Sequence, residues 1–134
     1  MNIEILKPVD IEEEIRVALS KYVTAYVRPL PEEYALPNTL IAATGGSSKD
    51  TIDTFTVSLD TRAETDAEAY DTMATSIGLL QKLAANQVGA LRKVEINSLG
   101  RWGSDPVRPD LKLCTATVIV TAHRQSQTIP TKEA

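Results

Sequence analysis

Residues 51–85 read TIDTFTVSLDTRAETDAEAYDTMATSIGLLQKLAA. Phe55, Val57 and Leu59 alternate with Thr54, Thr56, Ser58 and Asp60, the period of two of a strand with one buried face. The period then changes: Tyr70, Met73, Ala74, Ile77, Leu80 and Ala84 recur at three- and four-residue spacing and predict one apolar helical stripe. Thr65 followed by Glu68 is a capping-box pattern that starts this helix near Asp66. A strand that buries one face and a helix that buries one stripe are satisfied by packing on each other. Nothing in the unit is catalytic, and the residues alone predict a small α+β domain.

The flanking segments extend that layer. Asp10 is a good N-cap for a first helix, with Ile11, Ile15, Ala18, Leu19 and Tyr22 on one face. Glu12, Glu13 and Glu14 suit the positive end of the helix dipole as a solvated first turn, although such a run could also face a partner. Val23–Arg28 reads as extended, Leu30–Asn38 as a proline-bearing loop and Thr39–Thr44 as a short strand. Gly45–Asp50 (GGSSKD) reads as the turn of a hairpin into the central strand. It is not a phosphate loop, because Lys49 is followed by Asp50 and a strand rather than by Ser or Thr and a helix. Gly78 inside the second helix suggests a close backbone approach or simple tolerance.

Leu91–Ser98 reads as a strand with Val94 and Ile96 facing in, and Leu99–Asp110 (LGRWGSDPVRPD) as a long loop. Leu111–His123 is a strand with apolar residues on both faces, as expected centrally in a sheet. Residues 125–134 read as a polar tail outside a single domain spanning 1–124. The expected order is α-β-β-β-α-β-β: an α+β fold with a mostly antiparallel sheet of four to five strands and the helices on one face. Its Thr-rich face and free edges would be a liability for a lone molecule.

Composition narrows the function classes. The 134 residues carry a formal net charge of -4, which argues against a general nucleic-acid-binding surface. The low aromatic content (one Trp, one Phe, four Tyr) predicts an aliphatic core. The single cysteine, Cys114, permits no internal disulfide and reads as a small buried hydrophobe. The N-terminus has no basic stretch followed by an apolar run, and no segment has the ~20 apolar residues of a membrane span. His123 is the only histidine, so one copy holds neither a two-histidine metal site nor a histidine-paired nucleophile. It reads as a strand-end surface residue. No carboxylate couple stands out, and no catalytic residue, cofactor site or metal site is expected. In the 101–110 loop, Trp102 between Arg101 and Arg108 has the composition of an interface anchor, or else folds back over the sheet's open end.

Taken together, the N-terminal helix, the stretch VRPLPEEYALPNTLIAATGG, the junction FTVSLDTRAETDAEAYDTMATSIGLL and the segment WGSDPVRPDLKLCTATVIVTAHR resemble the tail terminator and tail-completion (neck) proteins of long-tailed bacteriophages, over residues 8–124. The resemblance implies a virion protein, made in the host cytoplasm. Several copies, usually a hexameric ring, would sit at the head-proximal end of the tail tube. The ring would stop tube polymerisation and present a surface to the head. The implied partners are further copies of the chain, the tail tube protein and head–tail connector proteins, with DNA passing through the lumen without specific binding. Glu32, Glu33 and Tyr34 of one loop and Arg101, Trp102, Asp105 and Arg108 of the other are the expected contact residues. Two alternatives stand beside it: a head-side neck or head-completion adaptor, separable by which partner it binds, and a small cytoplasmic ligand-binding or enzymatic α+β domain, separable by a ligand-induced thermal shift.

Overall fold

The computed structural model describes residues 1–132. In chain order the elements are β1 (Asn2–Lys7), α1 (Ile11–Leu19), β2 (Ala25–Val27), β3 (Asn38–Lys49), β4 (Ile52–Ala63), α2 (Asp66–Ala85), β5 (Leu91–Ser104), β6 (Lys112–His123) and β7 (Gln125–Pro130). Local chemistry starts both helices where the caps predict. Asp10 accepts from the Glu13 amide at 3.3 Å, and Thr65 accepts from the Glu68 amide at 3.2 Å.

Five strands form the main sheet in the order β2-β3-β4-β6-β5. All neighbours in it are antiparallel except β2 and β3, which run parallel. Both helices cover the same face. Val57 and Leu59 of β4 and Cys114, Ala116, Val118, Val120 and Ala122 of β6 are buried there with Ile11, Ile15 and Leu19 of α1 and Met73, Ile77 and Leu80 of α2. The helical stripe of α2 is rotated from the expected one. Tyr70 and Ala74 are exposed, and Ala69, Thr72 and Ser76 take their places. Small and hydroxyl-bearing residues can lie closer to the sheet, and Ser76 Oγ meets Thr39 Oγ1 across the layer at 2.9 Å. Tyr22, expected on the α1 stripe, lies past the helix end and is exposed. Gly78 is exposed, and nothing lies within 4 Å of where its Cβ would be, so no close approach explains it.

The predicted hairpin forms, but its turn is elsewhere. Asp50 and Thr51, at φ 53° and 66°, make the two-residue turn, which suits the twist of the strands. Gly45 and Gly46 lie inside β3, where the register shifts after Ala43. A Cβ at Gly46 would stand 2.7 Å from the Thr54 carbonyl oxygen, so this position needs glycine for close backbone approach.

Two further corrections concern the ends of the chain and the 99–110 segment. Residues Gln125–Pro130, expected as part of a polar tail, form β7 and pair antiparallel with β1, from Asn2↔Pro130 to Lys7↔Gln125. The two ends satisfy each other's backbone groups, a pairing between segments at opposite ends of the chain. Residues 133–134 of the expected tail lie outside the described residues. Leu99–Ser104, expected as loop, continues β5 beside the long edge of β6. A break in register between Ser98 and Arg101, with Gly100 at φ 54°, lets the strand resume pairing. Ile96, expected inside, is exposed.

Candidate interaction surfaces

The seven residues expected to make contacts separate into three settings. Asp105 is an internal strut. Its Oδ2 accepts from Arg62 Nε at 2.6 Å, and its Oδ1 accepts from the backbone amides of Val107 and Arg108 at 2.8 and 3.0 Å. The two side chains are only 10% and 5% exposed. Burial pushes the Asp105 carboxyl up, but Arg62 and the two amides outweigh it and hold the group below the ordinary carboxylate range. The expectation of Asp105 as a contact residue is therefore corrected: an aspartate two residues before an amide donor, in a Pro-rich loop, was the available sign of an Asx turn.

Arg108, Tyr34, Glu32 and Glu33 form the second setting. Arg108 is exposed and pairs with Asp110 at 3.2 Å. Its pKa is raised chiefly by that carboxylate and to a smaller extent by Tyr34, which brings the 28–37 and 105–111 segments side by side. Tyr26 Oη accepts from the Ala35 amide at 3.1 Å and fixes the loop that carries Glu32 and Glu33, both exposed.

Arg101 and Trp102 form the third setting, on β5 and not in a loop. Trp102 is 53% exposed and stacks on Tyr70 of α2, ring centroids 6.2 Å apart at 24°. The indole thus lies against the first turns of α2, yet keeps half its surface for solvent. Arg101 is exposed opposite Thr115, on the other face of the sheet.

Among the described residues, no helix lies over that other face. Thr54, Thr56 and Ser58 of β4 stand beside Thr117, Ile119 and Thr121 of β6, all half-buried. Asp60 accepts from Ser58 Oγ at 3.2 Å and from Thr115 Oγ1 at 3.0 Å, so part of the hydroxyl face is internally bonded.

The β1–β7 ribbon is exposed along its whole length. Its two strands contact each other, and among the described residues neither has an extensive contact with another element. Ile3 and Ile129 are cross-strand partners and, with Met1 and Ile5, line a shallow apolar groove. At its base, Arg124 Nε and Nη2 donate to Asp53 at 3.0 Å, and Nη2 also donates to Ser48 at 2.7 Å. Arg124 chiefly, helped by Ser48 and opposed by burial, holds the Asp53 carboxyl below its ordinary range. Sequence reading did not single out this pair, whose members are far apart in the chain. Nor did it see that the acidic first turn of α1 bridges elements. Glu12 accepts from the Ala43 amide at 2.7 Å and pairs with Arg28, while Glu14 accepts from the Ala90 amide at 3.2 Å.

Reactive groups do not converge. Cys114 is buried against Met73 Sδ at 3.5 Å, and burial pushes its thiol up. His123 is exposed at the end of β6. An open cleft of about 690 Å³ runs beside β2 and the start of α2, and its charged lining residues are Lys21 and Asp71. Among the described residues, no group of three or more His, Cys, Asp or Glu side chains is placed to hold a metal ion, and no helix is long and apolar enough to cross a membrane. The chain matches no protein-family model, and no match to a curated protein reaches significance.

Proposed function

We propose that this protein is a structural component of a long-tailed phage virion: a tail terminator that forms a ring at the head-proximal end of the tail tube, ends tube growth and presents a surface for head joining. The observation that carries the reading is the amount of β surface the chain leaves uncovered. Among the described residues, one face of a five-stranded sheet has no helix on it, and a two-stranded ribbon is exposed along its whole length. An isolated two-stranded ribbon is at best marginally stable in water, so a partner surface is its natural completion. Half-exposed Trp102 and exposed Arg101 supply residue types enriched at interfaces. The resemblance of the segment order to that of tail terminators is what directs the reading to this class of virion protein. Function in this reading comes from shape and contact, with no catalytic residue, cofactor or specific DNA contact.

Electron microscopy of particles assembled with this gene disrupted tests the proposal. Overlong, headless tubes beside filled heads are the expected result. Normal-length tails beside unattached heads would move the protein to the head side of the neck. Intact virions would overturn the structural reading.

A further inference from the structure

The strand order puts β2 and β5 at opposite edges of the sheet, and one register row crosses all five strands: Tyr26–Leu40–Asp60–Thr115–Arg101. Four inter-strand steps separate the ends of that row by about 19 Å. At the β5 end stands Arg101, which joins no ion pair among the described residues. Beside it along the edge are exposed Ile96, Leu99 and Trp102. At the β2 end, the bond from the Ala35 amide to Tyr26 Oη holds the loop that carries Glu32 and Glu33. These two carboxylates are exposed and likewise join no ion pair among the described residues.

Arg101 on the β5 edge and the Glu32–Glu33 pair on the loop that follows β2 thus present opposite, exposed charges that join no ion pair among the described residues. We propose that they meet between copies: the β5 edge of one chain, with Arg101 at its charged point and Trp102 beside it, docks on the Glu32–Glu33 loop of the next. This contact joins two different patches, so repetition generates a ring or a filament, whereas a two-fold β5–β5 contact would bring Arg101 against its own copy. The inference rests on the ring reading and names the surfaces that would close it.

Charge reversal tests it. Arg101→Glu and the double variant Glu32→Arg/Glu33→Arg are compared with the wild type by sedimentation velocity over a concentration series, alone and mixed one to one. All altered positions are exposed, so thermal unfolding of the variants should match the wild type. Each variant alone should need at least ~10-fold more protein to assemble, since facing like charges oppose docking. The mixture should assemble as the wild type does, because each kind of chain then faces its complement on both edges. Variants that assemble normally, or a mixture that does not recover, would overturn the contact. A wild type that stays monomeric throughout would overturn it too, while tail length in the gene-disruption experiment decides the terminator reading separately.

Discussion

Replacing Asp105 by alanine removes the one group that balances Arg62. Among the described residues, the bond from Arg62 Nε to Asp105 is the guanidinium's single hydrogen bond, and Nη1 is buried with no partner. The variant would leave a nearly buried cation uncompensated, which costs about 3 kcal/mol at the low end of the range for broken buried pairs. It would also strip the acceptor from the Val107 and Arg108 amides, adding about 1 kcal/mol net if loop water replaces part of it. A loss near 4 kcal/mol lowers Tm by roughly 12 °C for a domain of this size. Asp105→Asn keeps an oxygen for the two amides but sets an NH2 donor against Arg62 Nε, so it should recover at most the smaller, loop part of that loss. Urea and thermal unfolding followed by circular dichroism measure both. The pH dependence has a definite sign: the folded carboxyl titrates below its unfolded value of about 3.9, so its contribution is present above that pH and is lost as pH falls through the folded pKa. The wild type should therefore lose more stability than Asp105→Asn on acidification from pH 5 to pH 2, a window set around that unfolded value. An alanine variant within about 0.5 kcal/mol of wild type would refute the strut, because ordinary surface substitutions cost that little.

Two further outcomes concern the exposed surfaces. Trp102→Ala should cost about 1 kcal/mol from the lost stack on Tyr70, yet it should weaken assembly or tube capping strongly. Unchanged assembly, read by sedimentation and electron microscopy beside near-wild-type unfolding, would remove Trp102 from the interface. Ile3→Ser combined with Ile129→Ser should leave unfolding of the five-stranded body within about 0.5 kcal/mol of wild type while impairing assembly. A drop in Tm beyond ~5 °C would show that the ribbon packs on its own body.

By itself the sequence determined what depends on neighbours along the chain. The caps at Asp10 and Thr65, the alternation through Val57 and Leu59, and the two faces of the strand ending at His123 were legible because each is written within a few residues. The same local signals made Tyr70 and Ala74 look buried, since period alone does not say which side of a broad stripe meets the sheet. Tertiary structure decided the rest. β1 and β7 pair across nearly the whole chain, and each looked unremarkable alone because a strand's backbone is satisfied only by its partner. Trp102 became a strand residue because the long edge of β6 offered ladder bonds to a segment whose glycines read as loop. Asp105 became a strut because Arg62, 43 positions away, arrives beside it. The clustering of Tyr34 with Arg108, and the placing of Arg101 on an edge strand, follow from strand order, which is set by long-range pairing and burial rather than by any local residue pattern.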